Sequence, residues 1–347
     1  MNIGELWWNR LVNSVRFLDD SKDILITEKS MVLSFPDGVP FSEDMLSFLE
    51  QKLSVLTVTR SFIVRDVSEV HTDPGKYLFE HFCSESERKK YWPSISYAYF
   101  LATNDHTILH RRILCITGLN ASNTAEWVKV ITEYLENRNS DDQCIFILIT
   151  NSVNIHVSKV IAHLKYSDYV TDYDCLMLCL TLLSSEKCSS IQKQYVSELA
   201  SNISHNQPEI AGLLALEGIP LAKDPIRVAR KVFQDHKIVV TGLQKRVLAA
   251  VWETQIKLVF PRLENLRRNL IQKYNEAIQP YLSMVNFSGE WIEKAADMEI
   301  GQLFFVCGKE KILSKSDFEL LSNMRYARNL LAHREILDYQ QLSEFIK

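Results

Sequence analysis

RRILCITGLNASNTAEWVKVITEYLENRNSDDQCIFILIT, residues 111–150, sets two apolar runs around a helical one. RRILCITGL and CIFILIT are short, nearly unbroken apolar stretches. That pattern marks strands buried on both faces. SNTAEWVKVITEYLEN between them reads as a helix capped by Ser122 or Thr124. Strand, helix, strand in that order predicts parallel neighbours covered by helices.

The alternation extends outward. KSMVLSF (29–35) reads as a strand, PDGVP (36–40) as a turn, and FSEDMLSFLEQKLSV (41–55) as a helix. Ser42 is its expected cap, with Glu43 and Asp44 in the first turn, where acids are favoured. SFIVRDV (61–67) reads as a strand and DPGKYLFEHF (73–82) as a short helix. VSKVIAHLKY (157–166) reads as a helix, and a further apolar run spans Tyr173–Leu183. Near the N-terminus, Leu6, Trp7, Leu11, Val15 and Leu18 recur at helical spacing. The pair Trp7 and Trp8 suits a membrane or partner anchor, but interleaved charges favour a packed core helix.

Beyond residue 190 the text turns helical, and Gly218 with Pro220 ends that stretch. We expect an α/β domain with a mostly parallel sheet over 1–220 and an all-α helical bundle over 221–347. Residues 247–282 are too long for one average unbroken helix, and Pro261 is expected to start, kink or restart it. After it, Leu263, Leu266, Leu270 and Tyr274 form an apolar stripe flanked by Arg262, Arg267, Arg268 and Lys273. WIEKAADMEIGQLFFVC (291–307), SDFELLSNMRYARNLLAH (316–333, capped by Ser316) and YQQLSEFIK (339–347) supply the other helices. Four helices with short links fit a bundle.

Composition limits the function classes. The 347 residues are 46% hydrophobic and 24% charged, an ordinary globular balance. No stretch approaches the ~20 apolar residues of a spanning helix. The first residues lack a signal peptide's pattern, so a cytoplasmic protein is expected. Only 10 glycines are present, which favours helix and leaves little for glycine-rich phosphate loops. The 7 cysteines are odd in number, lie mostly in apolar runs and form no CxxC pair. His106 and His110 lack an evident third ligand, so no metal is expected. Charge is uneven: residues 221–347 hold 20 basic and 15 acidic side chains, leaving 19 and 28 in residues 1–220. The halves either meet different partners or attract each other.

The order of elements over roughly 1–210 resembles a degenerate P-loop or AAA-like core. An intact phosphate loop requires GxxxxGK[ST]. Here the first strand-to-helix turn, FPDGVPFSED, has one glycine, no lysine, two prolines and two acids. Gly75-Lys76 and Gly308-Lys309 both lack the earlier glycine, and Gly118 and Leu119 stand where such enzymes keep a magnesium-binding acid. The resemblance therefore implies a scaffold or sensor that has lost hydrolysis, with no cofactor expected. A protein partner or a nucleotide activator bound in an unfamiliar way remains open.

In MRYARNLLAHREILDYQQL, Arg328 and Asn329 precede three apolar residues and His333. This RNxxxH pattern near the end of an all-helical region resembles the HEPN superfamily over about 240–347. The resemblance implies metal-independent RNA cleavage by a homodimer formed through this region, with two facing motifs in one cleft. His333 would act as general acid or base, Arg328 would stabilise the phosphorane oxygens, and Asn329 would orient the histidine or hold a phosphate oxygen. Arg325 and Arg334 would bind the RNA backbone or serve only as solvated surface. Sensor-plus-HEPN layouts also resemble microbial defence and toxin systems. The alternatives are a non-catalytic subunit of a multiprotein defence complex, and a nucleic-acid-binding regulator using the helix around Arg262–Lys273. No membrane partner is expected.

Overall fold

The computed structural model describes residues 2–138, 142–282, 284–285, 289 and 291–346. The chain divides into two compact units, Met1–Asp174 and Cys175–Lys347.

The first unit holds a parallel five-stranded sheet: β1 (Ser30–Ser34), β2 (Ser61–Asp66), β3 (Arg112–Leu119), β4 (Ile145–Thr150) and β5 (Ile161–Lys165), in the order β2-β3-β4-β1-β5. β1 and β4 are central, and every residue of each is buried. That is why their sequences are almost wholly apolar. On one face Val32, Leu114, Ile116, Phe146 and Leu148 join a cluster with Leu78, Leu101, Trp127 and Ile131 from the covering helices. Away from that cluster, the N-terminal helices Ile3–Arg10 and Val12–Ile26 bring in Trp8 and Phe17; Phe17 meets Phe35 edge-on at 5.4 Å. The Trp7–Trp8 pair is therefore core: both side chains are buried, and the Trp8 indole donates to the Pro40 carbonyl at 2.8 Å.

Three local expectations are corrected in this unit. VSKVIAHLKY does not form a helix, because Ile161–Lys165 pairs along the free edge of β1, from Ser30↔Ile161 to Ser34↔Lys165. The hydrogen bonds offered by that edge override a helix-like spacing in a short segment. The helix Ser42–Lys52 is entered through Phe41 at φ 46°, with no side-chain cap. The helix Thr124–Asn137 follows Asn123, whose side-chain oxygen accepts from the Asn120 amide.

Gly118 marks a register shift at the end of β3. Its φ is +78°, and an added Cβ would stand 2.6 Å from the Ser68 backbone nitrogen. Gly118→Ala is expected to cost about 2 kcal/mol or more, read by urea denaturation. A variant as stable as wild type would show that this close approach is not needed.

The second unit is helical, apart from a two-strand ribbon at Met284–Val285 and Trp291–Ile292. It starts well before residue 220, because Ser190–Ser204 packs on the long helix Leu243–Ile278. Asn202 Nδ2 donates to Thr254 Oγ1 at 2.9 Å, and Lys257 pairs with Glu198 at 2.7 Å. Gln255 exchanges two hydrogen bonds with the backbone of Leu337, at 2.9 and 2.8 Å, from the same buried position. The run Leu243–Ile278 keeps helical backbone through Pro261 and is broken instead at Tyr274 (φ −115°, ψ 17°), where two helices meet across a kink. The expected helix over 291–307 begins only at Ile300, since Trp291–Ile292 pairs in the ribbon. The cap of the motif helix Lys315–Ala332 is Ser314, two residues before the expected Ser316.

Cys115 in β3 and Cys144, just before β4, are buried thiols, and burial raises both, Cys115 to about 12. All 7 cysteines are free. No helix among the described residues is long and apolar enough to cross a membrane.

Candidate functional site

The motif helix is fixed by its apolar side. Leu321, Met324, Ala327 and Leu331 are buried, at the three- and four-residue spacing of one helix face. Its start is held by Ser314 Oγ, which accepts from the Asp317 amide at 3.2 Å. Asp317 also accepts from Lys273 and Tyr274, and these hydrogen bonds hold its carboxyl down to about 2.

The motif residues stand away from that buried face. Arg328 and His333 are exposed and Asn329 is half-buried. His333 is the C-cap of the helix, its amide bonded to the Asn329 and Leu330 carbonyls. Arg328 and Asn329 touch, with the guanidinium 3.4 Å from the amide oxygen. Residues five apart on a straight helix lie roughly 140° apart around its axis. Arg328 lies within the helix, whereas His333 stands at its C-cap, where the chain leaves the helical backbone.

Immediately after His333 the backbone turns through a Schellman motif. Arg334 takes φ 62°; its amide donates to Leu331, and the Glu335 amide donates to Leu330. Glycine usually occupies this left-handed position, and a side chain there costs about 1 kcal/mol. The Arg334 guanidinium lies 5.8 Å from the ring centre of Trp252, whose indole donates to the Leu331 carbonyl at 2.9 Å. Lys245, Leu248, Trp252, Arg334 and Ile336 line part of a groove of about 700 Å³. Trp252 is the residue that sequence reasoning missed, because a lone tryptophan on an amphipathic helix carries no sign of its neighbours. Arg334→Gly is expected to raise stability by about 1 kcal/mol in urea. Unchanged or reduced stability would remove the strain argument.

Arg325 lies 4.6 Å over the Phe304 ring, packed against the surface of its own unit. Arg328 faces a smaller cavity of about 260 Å³, bordered by Glu264, Arg267 and Glu299. Its guanidinium is 3.5 Å from the Glu299 carboxylate. Arg267 donates to both Glu264 oxygens, at 2.8 and 2.7 Å, and to the Ala296 and Met298 carbonyls. Arg268 also binds Glu264, and Lys273 binds Asp317. The basic stripe on the long helix is therefore largely engaged within the chain, which argues against its use as an open nucleic-acid track.

Hydrogen bonds from Arg267, and then from Arg268, hold the Glu264 carboxyl at about 2, below its ordinary 4.5. A depressed carboxylate stabilises the fold above its unfolded value and loses that contribution as acid carries it through the folded one. Glu264→Gln is expected to destabilise by up to about 1 kcal/mol at neutral pH, because solvent screens this half-exposed network. The gap from wild type should close between pH 4.5 and about 2 in an acid titration of the melting transition. A gap that persists at the acid end would rule out the carboxylate charge as its source.

In the first unit, Phe35 is buried and the Pro40 carbonyl is taken by Trp8. Among the described residues no group of three or more metal-ligating side chains assembles. Comparison of the sequence with protein-family models and with curated proteins returned no match.

Proposed function

We propose that the helical unit is a metal-independent endoribonuclease of HEPN type, working as a homodimer in a cytoplasmic defence or toxin effector. One observation carries this reading. Arg328, His333 and Arg334 stand in solvent at one helix end instead of being consumed by the core. The left-handed Arg334 adds support, since backbone strain kept beside a polar cluster is typical of functional positions. Residues five apart do not share a face of a straight helix, which supports a site formed by two copies meeting across a two-fold axis.

In that cleft one His333 imidazole takes the proton from a ribose 2′-OH as its oxygen attacks the adjacent phosphorus. The departing 5′ oxygen takes its proton from water, and the imidazole returns the proton it took to solvent. The products are a 2′,3′-cyclic phosphate and a 5′-hydroxyl. Arg328 neutralises the charge that builds on the phosphorane oxygens, Asn329 orients the reacting groups, and Arg325 and Arg334 hold the RNA backbone. DNA lacks the 2′-OH and should survive. The N-terminal unit serves as a sensor or scaffold for a protein partner or nucleotide activator. Its central first strand and the missing phosphate-loop motif support that role, since open α/β sheets take ligands at the carboxyl ends of their strands.

A second reading, a non-catalytic subunit of a defence complex, is favoured by the Glu299 carboxylate beside Arg328, which would repel a phosphate. Purified protein incubated with RNA in EDTA separates the two. Cleavage lost in both Arg328→Ala and His333→Ala supports the nuclease; cleavage that survives either substitution rejects these roles. RNA left intact at every protein concentration that forms dimers supports the subunit.

A further inference from the structure

We propose that the first unit binds a phosphate-bearing small molecule in a cationic cavity between β5 and the loop that follows β4. The cavity measures about 400 Å³ and is lined by Val153, Asn154, Ile155, His156, His163 and Lys165. This volume lies in the range of small-molecule sites.

The fold brings these groups together from two directions. β4 ends at Thr150, and the chain passes directly into the 153–156 segment at the carboxyl edge of the sheet. Ile155 and Val157 pack against the apolar cluster and pin this segment, while His156 between them is exposed. On β5, His163 lies opposite Val32 and Lys165 opposite Ser34. Two residues apart on a strand, His163 and Lys165 share one face of the sheet. The cavity thus occupies the end of a parallel sheet where such folds bind ligands.

Its charge points to the ligand. Two imidazoles and an ammonium line it with the Asn154 amide, and no carboxylate is among the lining residues. This occurs in the half of the chain with excess acid, so the local sign opposes the surroundings. Lys165 makes no ion pair among the described residues. His163 is half-buried, with Nε2 2.7 Å from Ser34 Oγ. Burial and Lys165 hold its pKa down, while Asp168 acts the other way. The imidazole is therefore fixed by Ser34 and serves as a neutral hydrogen-bonding group; Lys165 supplies the fixed positive charge. A phosphate oxygen set between Lys165 and His163 would have an ammonium, an imidazole and a side-chain amide within one small wall. Charge-assisted hydrogen bonds of this kind are the strong ones. The inference is independent of RNA cleavage in the other unit.

The test uses the full chain, thermal unfolding at constant ionic strength with chloride as the compensating salt, and three arms: inorganic phosphate, AMP and adenosine. Phosphate and AMP are expected to raise the first melting transition by roughly 5 °C at about a hundredfold excess over Kd. Adenosine should leave it unmoved. AMP binding tighter than phosphate identifies a nucleotide as the source; equal affinities identify free phosphate. Lys165→Ala and His156→Ala change exposed side chains and should melt like wild type without ligand. Each should weaken phosphate binding by about tenfold, one charge-assisted hydrogen bond's worth. Wild-type protein unmoved by both phosphate and AMP overturns the proposal, as does an undiminished shift in Lys165→Ala. Loss of RNA cleavage alone would leave these shifts in place.

Discussion

Trp8→Ala is expected to destabilise the N-terminal unit by about 4 kcal/mol, measured as a shift of its urea transition. Two losses combine. The indole is fully buried, so its removal leaves a large cavity against Phe17 and Tyr166, whose rings lie 6.4 and 5.7 Å away. The Pro40 carbonyl also loses its donor, and an unsatisfied buried acceptor adds to the cost. A domain of ordinary stability, about 5–15 kcal/mol, would lose a large share of it. Val12→Ala on the neighbouring helix is the control. Val12 is 78% exposed and its truncation should change stability by less than about 0.5 kcal/mol. If Trp8→Ala instead unfolds with Val12→Ala, or keeps its stability and loses attachment to a membrane or partner, the tryptophan is an anchor and the packing account fails.

What could be read in advance follows from what each segment must satisfy by itself. β1, β3 and β4 are legible because burial on both faces demands apolar residues almost without interruption, as in CIFILIT. β5 is not, because an edge strand is half-exposed and carries His163 and Lys165 between its apolar residues. Its identity comes from β1, more than a hundred residues away. The boundary near 174 is hidden for the same reason. Ser190–Ser204 reads as helix, but only Asn202, Glu198 and Tyr195 meeting Thr254, Lys257 and Gln255 assign it to the second unit. Pro261 is misleading as to place: a proline removes one hydrogen bond from a helix, the helix passes through it, and the break comes at Tyr274. At the candidate site, the RNxxxH spacing already puts Arg328 and His333 on different faces of a straight helix, but not His333 at its C-cap. The left-handed Arg334 was not foreseeable, since a Schellman turn announces itself by glycine and here has none.

Mixing Arg328→Ala protomers with His333→Ala protomers is expected to restore RNA cleavage that neither variant shows alone. Arg328→Ala removes a charge that stabilises the phosphorane, a loss of about 10²–10³ in rate. His333→Ala removes the proton-transfer group, about 10²–10⁴. Each homodimer carries its defect twice. A mixed dimer has one intact His333, on the Arg328→Ala protomer, and one intact Arg328, on the other. If the cleft joins the guanidinium of one copy to the imidazole of its mate, one working pair survives in each mixed dimer. Random exchange of equal amounts makes half the dimers mixed, so activity should return to about a quarter of wild type. The roughly 140° that separates residues five apart on a straight helix is the reason to expect this. A site built from Arg328 and His333 of the same copy gives no such recovery, because no protomer in the mixture holds both. Exchange verified by a tag on one variant, with no regained cleavage, would therefore sink the composite cleft.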